Sequence, residues 1–438
     1  MPNQSVWLQA AFFLESCSPN AYPMYYFQKI RLLSINIVNL RPQPSTCYNE
    51  GLFYKNMETN NTTLKAGILG GGQLGRMLLQ QAANYTVETY VLENDRHCPA
   101  AHLCHHFILG NIQSFDDVYA FGKGLDVLTI EIEQVNVEAL EQLEKEGVRV
   151  FPSAQTIRTI NSKILQKQFY KDNQIPSPEF IVTENIDELK QQTHFLPAVH
   201  KLAVGGYDGR GVQVIRSAAN LTSGFNAPSV LEKMVDIKTE VALIVAVNEK
   251  GDTVIYPAAE MVFDKDLNLL DYQVSPARIH EQTLWKCEAI ALKVVKGLNS
   301  PGIFAIEFFI DNKNEVWVNE TAPRVHNSGH HTIEANYSSQ FDMLWRVMLG
   351  LPLGSTKPIV PSAIVNLLGA PGHTGNAVYE GLAEVMRLEN VFVHLYGKTK
   401  TKPGRKMGHV TIVSNERQEL IHQANRIKQT LKVVSAEG

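Results

Sequence analysis

Short apolar runs alternate with amphipathic segments along residues 64–152, and this alternation sets the expected architecture of that part of the chain. Short apolar runs are typical of buried strands, whereas apolar positions repeating every three or four residues are typical of helices. The predicted elements are a strand at 64–69, a helix at 76–84, strands at 87–92 and 126–132, a helix at 137–146 and a strand at 148–151. Such alternation predicts a parallel, doubly wound sheet with ligands at the carboxyl ends of its strands.

The pattern changes beyond residue 154. A helix carrying Lys163 and Lys167 precedes a strand at 179–182, a second helix and a strand that leads to residue 201. Further strands are predicted at 229–235, at 303–310 and 315–320 as a hairpin, and at 391–396 and 409–413. We therefore expect a mixed α/β (α+β) chain whose doubly wound parallel-sheet domain is followed by parts richer in antiparallel strands.

Residues 1–63 differ from the rest, because they hold scattered aromatic residues and prolines without a sustained helical or alternating period. We expect an unstructured extension here. No charged residue precedes the apolar stretch 6–14, so a secretory signal is not expected. One hypothesis is that translation begins at Met57, just before the first predicted strand.

Composition narrows the class of protein. The 438-residue chain carries a formal net charge of −4, which gives no electrostatic reason to expect nucleic acid or an anionic membrane as a partner. No apolar run approaches the roughly 18 to 20 residues of a spanning helix. The five cysteines are irregularly spaced, which indicates a reducing compartment. We expect a cytoplasmic protein that binds polyanions only locally.

A glycine-rich loop follows the predicted strand at 195–199, and residues 205–211 contain four glycines. Lys201 opens the loop. Glycine lets backbone N–H groups turn toward an anion, and a lysine adds positive charge for polyphosphate oxygens. The loop predicts a flap over ATP, although a surface hairpin loop would have a similar composition.

A second glycine motif, G-x-G-x-x-G, covers residues 70–75 between a predicted strand and a helix. Glu93 lies 18 residues beyond Gly75, where a ribose-binding acid stands in dinucleotide sites. An NAD-dependent oxidoreductase is therefore an alternative. The same glycines suit any anion site at a helix amino terminus, so the motif does not decide between them.

Two glutamates in the predicted hairpin suggest a metal site. If the turn places Ile310 opposite Glu315, then Glu307 lies diagonal to Glu320 on the same face, about 7 to 8 Å away at Cα. Acids among apolar residues are costly unless a cation compensates them, and hard oxygen ligands favour Mg²⁺ arriving with nucleotide phosphates. A structural salt bridge is the alternative. Alternation turns Asn319 to the other face unless the strand ends there.

Other polar segments complete the candidate chemistry. Residues 321–332 are dense in donors around a central glycine and are interpreted as a substrate-binding loop. Gln73, Glu131 and Glu133 lie at predicted strand ends, where the glutamates are either ligand-binding groups or helix-start carboxylates. The basic segment 398–406 is either a solvated hairpin turn or a clamp for a monophosphate.

Two further stretches are ambiguous on their own. The strand at 229–235, followed by Glu240, could offer its backbone to an adenine and a carboxylate to a ribose, or be plain β-structure. Residues 98–106 hold two cysteines and three histidines, but no second pair of ligands follows downstream. We expect a loop with partly buried histidines there rather than a zinc site.

Four motifs in order, at residues 70–77, 206–211, 319–330 and 403–409, resemble the N5-carboxyaminoimidazole ribonucleotide synthase family of purine biosynthesis, which belongs to the ATP-grasp enzymes. The resemblance covers the chain from about residue 64 onward. It implies a pre-ATP-grasp domain at 64–155, an ATP-grasp domain at 156–360 with a flap at about 165–235, and a small β-rich domain at 361–438. It also implies a homodimer.

The resemblance implies a reaction as well. ATP, bicarbonate and 5-aminoimidazole ribonucleotide would give the N5-carboxylated ribonucleotide, ADP and phosphate through carboxyphosphate. Closure of the loop would protect carboxyphosphate from water. Arg324 suits this intermediate because its planar guanidinium matches planar oxyanions.

The family motifs also assign roles to individual positions. The implied ATP-binding residues are Lys163, Lys201, Gly206, Tyr207, Asp208, Gly209, Arg210, Gly211, Val212, Glu232, Lys233, Met234, Val235, Glu240, Asn319 and Glu320. The implied Mg²⁺ ligands are Glu307 and Glu320. The implied substrate-binding residues are Gln73, Leu74, Glu131, Glu133, Arg324, His326, Asn327, Ser328, Lys398, Arg405 and Lys406. The residues implied to lie close to the chemistry are Tyr207, Asp208 and Arg324.

The sequence departs from the family pattern at three positions. Met261 and Phe263 stand where relatives often carry Asn and His, and Lys163 stands where arginine is expected. The lysine keeps the charge but loses bidentate geometry. A formate-using glycinamide ribonucleotide transformylase and a biotin carboxylase remain alternatives within the ATP-grasp enzymes, beside the NAD-dependent oxidoreductase.

Overall fold

The elements of the fold follow the predicted alternation closely in the first part of the chain. The computed structural model describes residues 63–206, 211–263 and 270–436. The expectations for the amino-terminal extension, for Met57 and for Tyr207, Asp208, Gly209 and Arg210 therefore lie outside the described residues.

The strands are, in chain order, β1 Leu64–Leu69, β2 Val87–Glu93, β3 His106–Leu109, β4 Val127–Ile130, β5 Arg149–Phe151, β6 Phe180–Thr183, β7 Ala198–Leu202, β8 Val212–Ile215, β9 Ser229–Lys233, β10 Ile237–Val247, β11 Thr253–Ile255, β12 Ala259–Phe263, β13 Leu270–Ser275, β14 Gly302–Asp311, β15 Val316–Ala322, β16 Ser362–Leu368, β17 Gly375–Glu380, β18 Val391–Leu395, β19 Lys400–Thr401, β20 Lys406–Val413 and β21 Lys432–Ser435.

The α-helices are α1 Gln73–Ala82, α2 Phe115–Gly122, α3 Val137–Lys145, α4 Ala154–Asn161, α5 Lys163–Asp172, α6 Ile186–Lys190, α7 Glu281–Leu298, α8 Thr332–Ala335, α9 Gln340–Met348, α10 Leu382–Val385 and α11 Arg417–Thr430. Short 3₁₀ turns lie at Thr193–Phe195, Ala218–Ser223 and Asn327–Gly329.

The first sheet is parallel, in the order β3-β2-β1-β4-β5, which confirms the predicted doubly wound architecture. Helices α2 and α3 contribute to the apolar core on one of its faces. Helix α1 begins at Gln73, three residues before the predicted start, because the glycine turn already opens into the helix. Strand β4 ends at Ile130, two residues early, and Glu131 turns its carboxylate to that same glycine turn.

A small antiparallel sheet forms the flap, with the order β6-β9-β7-β8. One face packs against α6 and the 3₁₀ turns through a core that includes Leu189, Ala198 and Leu231. Side chains alternate along a strand, so Val199, Lys201 and neighbours on β8 and β9 point to the opposite face. That face lines the main cavity described below.

The largest sheet is antiparallel and runs from the predicted hairpin to the carboxyl-terminal strands, in the order β15-β14-β10-β12-β13-β16-β20-β18. Helix α7 packs on one face of β10 and β14 through an apolar core that also includes Tyr170 of α5. Helix α11 covers β16 and β20 in the same manner. The pairing of β13 with β16 makes one continuous sheet of these two parts.

Helices α1 and α9 join the parallel sheet to the large sheet. Trp345 of α9 is fully buried, and its indole N–H donates to the carbonyl oxygen of Leu78 at 2.8 Å. The same core contains Ile244 and Ala305 from the large sheet. Within the described ranges, no helix is long and apolar enough to cross a membrane.

We expect Trp345→Ala to lower the free energy of unfolding by about 3–5 kcal/mol, because it removes a large buried side chain and its hydrogen bond. The matched control is Trp285→Ala on α7, whose tryptophan is 57% exposed and should change stability by less than about 0.5 kcal/mol. Guanidinium unfolding followed by circular dichroism measures both. Equal effects of the two variants would show that the α1–α9 junction does not stabilise the fold.

Candidate active site

The main cavity lies between the flap sheet and the large sheet and has a volume of about 510 Å³. It brings together most of the described residues that the family motifs assign to ATP. Those that line it are Lys163, Lys201, Gly206, Val212, Glu232, Lys233, Met234, Val235, Glu240, Asn319 and Glu320. Met261 and Phe263, the two departures from the family pattern, also line it and make its wall more apolar.

The described residues on either side of positions 207–210 of the glycine loop are held in place by the backbone. Gly205 and Gly211 have φ angles of 82° and 73°, in the left-handed region that glycine adopts readily. The backbone N–H of Lys163 donates to the carbonyl oxygen of Ala203 at 2.8 Å, which ties the first residue of α5 to the end of the flap strand. The loop therefore starts from a fixed position beside Lys163.

Lys201 and Glu232 form an ion pair on the cavity face of the flap. Glu232 pairs in register with Val199, so its side chain is diagonal to that of Lys201 on the neighbouring strand. Lys201 Nζ lies 3.0 Å from Glu232 Oε2 and also donates to Asn319 Oδ1 at 3.0 Å. The flap lysine thus links the small sheet to the hairpin of the large sheet.

The hairpin register differs from the expected one. Phe308 pairs with Val318 and Glu307 pairs directly with Glu320, so the two glutamates are not diagonal neighbours. The register shifts between Glu307 and Phe308, which leaves Asn319 as the extra residue of a β-bulge. Regular alternation would turn Asn319 to the other face, but the bulge breaks the alternation and the Asn319 amide contacts both Lys201 and Glu307.

The two hairpin carboxylates have opposite electrostatic surroundings. Burial and the charges of Glu320 and Glu240 raise the pKa of Glu307. The Lys163 ammonium, whose Nζ lies 3.2 Å from Glu320 Oε2, lowers the pKa of Glu320. Because a cation beside the pair would relieve this repulsion, the oxygen donor set fits a divalent metal.

A second cavity of about 320 Å³ adjoins the first. The two cavities share Lys163, Gly206, Glu320, His326, Asn327 and Lys406. The second is also lined by Gln73, Leu74, Glu131, Glu133 and Arg324, which are predicted substrate-binding residues. Asn327 Oδ1 is buried and has no hydrogen-bond partner in the described part of the chain, so it can accept a further hydrogen bond.

The predicted substrate residues are not all placed in the same way. Arg324 Nε lies 2.9 Å from Glu133 Oε1, and His326 Nδ1 lies 2.9 Å from Ser328 Oγ. Ser328 and Lys406 line the main cavity. Arg405 lines neither of the two cavities, and its Nη1 donates to the carbonyl oxygen of Lys400 at 2.7 Å.

The basic segment is more than a hairpin turn. Its residues Lys400–Thr401 form β19, which pairs with β17, and β20 begins at Lys406 rather than at residue 409. Lys398 Nζ donates to Gln73 Oε1 at 2.9 Å, although Lys398 lines neither of the two cavities. This contact links the carboxyl-terminal strands to the glycine turn of the first sheet.

The glycine turn at residues 70–75 is occupied by the protein's own acids. Glu131 accepts hydrogen bonds from the N–H groups of Gly72 and Gly75 at 2.5 and 2.7 Å, and Glu93 accepts one from Gly71 at 2.9 Å. These N–H groups are the ones that a dinucleotide pyrophosphate requires. The turn therefore does not favour the oxidoreductase interpretation.

The expectation of partly buried histidines at residues 98–106 was wrong, because His102, His105 and His106 are all exposed and His106 begins β3. The segment nevertheless has structural partners. His106 Nε2 lies 2.6 Å from Glu88 Oε1, His105 Nδ1 lies 2.9 Å from Thr89 Oγ1, and Cys98 packs beside Gly71. Across residues 63–206, 211–263 and 270–436, no group of three or more His, Cys, Asp or Glu side chains is arranged to hold a metal on its own.

A buried lysine behind the main cavity was not predicted to belong to the site. Lys167 is buried, and its Nζ lies 3.2 Å from Glu232 Oε2. Its spacing of four residues from Lys163 on a predicted helix places both lysines on one face, which is the sequence signal that would have found it.

Comparison with known proteins agrees with this architecture. Family models match residues 63–161 as a ribonucleotide synthetase preATP-grasp domain, 168–341 as an ATP-grasp domain, and 362–423 as a phosphoribosylaminoimidazole carboxylase C-terminal domain. Together with the flap and the cavity beneath it, these matches define an ATP-grasp ligase.

Individual relatives narrow the class. The crystal structure of N5-carboxyaminoimidazole ribonucleotide synthetase from Thermotoga maritima is 38% identical, covers 85% of this chain and 100% of that one, and superposes with a TM-score of 0.79. The N5-carboxyaminoimidazole synthase from Aspergillus clavatus, in complex with ADP and 5-aminoimidazole ribonucleotide, is 32% identical over 83% of this chain and 99% of that one, with a TM-score of 0.75. The chain belongs to the N5-carboxyaminoimidazole ribonucleotide synthase family.

A longer relative shares the same region. The chloroplastic phosphoribosylaminoimidazole carboxylase of Vigna aconitifolia is 37% identical over 80% of this chain. The chain spans 64% of the length of that protein.

The pKa of Glu240 gives a test of the site in the ligand-free protein. Burial raises this pKa from 4.5 to about 7, and the charge of Lys201 offsets only part of the effect. Between these two values the folded protein binds this proton more tightly than the unfolded chain, so the contribution of Glu240 to stability falls as the pH rises. Glu240→Gln should therefore gain melting temperature over wild type progressively through this window, and the gain should level off above about pH 7.

Scanning fluorimetry between about pH 5 and pH 8.5 measures this difference. The matched control is Glu389→Gln, which replaces an exposed glutamate and should give no pH-dependent gain. A Glu240→Gln profile that runs parallel to wild type would contradict the buried environment of Glu240.

Proposed function

We propose that the protein carboxylates 5-aminoimidazole ribonucleotide with bicarbonate in an ATP-dependent reaction that also yields ADP and phosphate. The observation that carries the proposal is the junction of the two cavities. Lys163, Glu320 and His326 line both of them, so a phosphoryl group leaving a nucleotide in the first cavity would be next to an acceptor in the second. The ADP and 5-aminoimidazole ribonucleotide bound by the Aspergillus clavatus relative support the same two ligands here.

The first cavity would hold the nucleotide. Apolar side chains such as Val199, Met261 and Phe309 offer surfaces to an adenine ring. Glu232 Oε1 is buried and has no hydrogen-bond partner in the described part of the chain, which leaves it available to adenosine. Lys163 and Lys201 would contact the phosphates, and the glycine loop would cover them. The proposed ATP set includes the remaining residues that the motifs assign, from Gly206 to Val212 and from Lys233 to Val235.

Mg²⁺ would be held at the hairpin by Glu307 and Glu320. The residues fit the ion, because Glu307 and Glu320 pair directly across the hairpin. Burial and the neighbouring charges of Glu320 and Glu240 raise the pKa of Glu307, and a cation would offset both effects. A bound Mg²⁺ would neutralise phosphate charge during transfer. As protein side chains supply few ligands, the ion would arrive with the nucleotide.

The second cavity would hold bicarbonate and the ribonucleotide. Arg324 has the planar donor set that matches a carbonate or carboxyphosphate oxyanion, and its pairing with Glu133 fixes the guanidinium. His326, Asn327 and Ser328 would complete the binding loop, together with Gln73, Leu74, Glu131 and Lys406. The assignments of Lys398 and Arg405 stay predictions, and so do the roles of Tyr207 and Asp208.

Two steps, each of which forms one bond to a new partner and breaks one to a leaving group, account for the products. A bicarbonate oxygen attacks the γ-phosphorus, the bond to the β-phosphate oxygen breaks, and ADP leaves. The exocyclic amine of the ribonucleotide then attacks the carboxyl carbon of carboxyphosphate, and phosphate leaves with the electron pair of the broken C–O bond while the amine loses one proton. The flap, which carries Lys201, would cover Lys163 and exclude water during the lifetime of this reactive intermediate.

The proposal also covers the domain boundaries and the oligomeric state. We infer domains at residues 64–155, 156–360 and 361–438, and a homodimer, on the family resemblance. Light scattering of the purified protein tests the dimer. A monomer at micromolar concentration would contradict the inferred homodimer but would leave the proposed reaction unaffected.

The reaction is tested by ADP release from Mg-ATP and bicarbonate with and without 5-aminoimidazole ribonucleotide. We expect turnover only when the ribonucleotide is present. Glu320→Gln should lower kcat/KM by roughly 100-fold, because it removes charge where the metal and phosphates meet. The matched control is Glu315→Gln on the same hairpin, which breaks an exposed ion pair with Lys286 and should leave turnover unchanged.

Other outcomes point to other enzymes. ADP release that requires formate or biotin in place of the ribonucleotide would support the transformylase or carboxylase alternatives. Release that does not depend on any acceptor would contradict a carboxylation. Quenching of NADH fluorescence by the protein would revive the oxidoreductase alternative.

A further inference from the structure

Lys167 and Lys201 share one carboxylate in the interior of the site. Lys167 Nζ lies 3.2 Å and Lys201 Nζ lies 3.0 Å from the same oxygen, Glu232 Oε2. The side chains of Lys167 and Glu232 are each only 3% exposed, whereas that of Lys201 is 11% exposed. The buried lysine is thus behind the carboxylate, and the more accessible lysine lines the cavity.

The helical spacing of α5 explains the position of Lys167. Lys163 and Lys167 are four residues apart, so they lie on the same face of the helix. Lys163 Nζ reaches Glu320, while Lys167 Nζ reaches Glu232 one turn later. One helix face therefore supplies a cation to each of two carboxylates, one on the hairpin and one on the flap.

The charges of Lys167, Lys201 and Glu232 do not cancel. Two ammonium groups and one carboxylate leave a net positive charge beside the cavity. If Lys167 were absent, the buried Glu232 carboxylate would depend on Lys201 alone, because a buried charge is costly without a partner. Lys201 would then be held as a counter-ion and would have little charge left for a ligand.

We propose that Lys167 is a positioning residue, which neutralises Glu232 while it is protonated and so leaves the charge of Lys201 available to the phosphates of a nucleotide. The inference rests on the proposed function only in that the ligand of the main cavity is a nucleoside polyphosphate. Lys167 does not line either cavity, so its effect on the ligand passes through Glu232 and Lys201.

The surroundings of Lys167 make its charge depend on pH. Burial, together with the charges of Lys201 and Lys163, lowers the pKa of Lys167 to about 8, and Glu232 opposes part of this shift. Tyr170 on the same helix lies with its ring 5.7 Å from Lys167 Nζ. Lys167 is therefore charged at neutral pH and loses its proton as the pH rises through about 8.

A double-mutant cycle separates this role from simple packing. We expect Lys167→Met to weaken ATP binding by roughly 10-fold or more in the wild-type background but by less than about 3-fold in the Glu232→Gln background. The reason is that a neutral residue 232 no longer needs a counter-ion. Isothermal titration calorimetry with ATP measures the four proteins, and adenosine, which lacks phosphates, should bind the Lys167→Met variant as it binds wild type.

The matched control is Lys171→Met, one further turn along α5, where the lysine is exposed. This variant should bind ATP like wild type. An equal loss from Lys167→Met in both backgrounds would show a packing role and overturn the proposal, as would unchanged ATP affinity.

Wild-type protein gives an independent readout if Lys167→Met does not fold. ATP affinity should fall as the pH rises from about 7.5 to about 9.5, and Glu232→Gln should abolish most of this dependence. A flat wild-type profile would overturn the proposal. Absence of carboxylation with an intact cycle would contradict only the proposed function, whereas absence of any ATP binding would contradict both.

Discussion

Repulsion between Glu307 and Glu320 is the constraint on which the rest of the site depends. Their backbones pair directly across a hairpin, so the two side chains leave the sheet from neighbouring positions. Lys163 compensates Glu320, and the Asn319 amide reaches Glu307 only because a bulge turns it inward. Burial, together with the negative charges of Glu320 and Glu240, still raises the pKa of Glu307. A metal ion that arrives with a nucleotide would offset this negative charge.

The positive groups are distributed to match that constraint. From one face of α5, Lys163 pairs with Glu320 on the hairpin and Lys167 pairs with Glu232 on the flap. Helix α5 therefore contributes positive charge to both walls of the cavity. Lys201 bridges the walls through Glu232 and Asn319. Because Lys201 and Glu232 lie on the flap, whereas Asn319 lies on the large sheet, any movement of the flap would break the Lys201–Asn319 contact. The contacts of the Lys201 charge therefore depend on the position of the flap.

The sequence was sufficient for the alternation of strands and helices in the first sheet and for most cavity residues, because periodicity and glycine placement are local signals. It was insufficient where long-range register decides. The bulge at Asn319 cannot be read from the hairpin sequence, since either register satisfies the apolar alternation. The continuous sheet through the β13–β16 pair, and the shift of β20 to begin at Lys406, likewise depend on pairing between distant strands. Lys167 was missed because a lysine in a helix usually faces solvent.

The glycine turn shows how a motif can keep its geometry and change its use. A Cβ at Gly72 would lie 2.5 Å from Glu131 Oε1, so glycine is required there for the approach of a side chain rather than of a phosphate. Burial raises the pKa of Glu131, and the N–H groups of Gly72 and Gly75 oppose this shift by stabilising the carboxylate. The helix amino terminus thus binds an internal anion, and the adjoining Gln73 contacts Lys398 from the carboxyl-terminal strands. A turn that binds ligands in dinucleotide enzymes here fixes the wall of the second cavity.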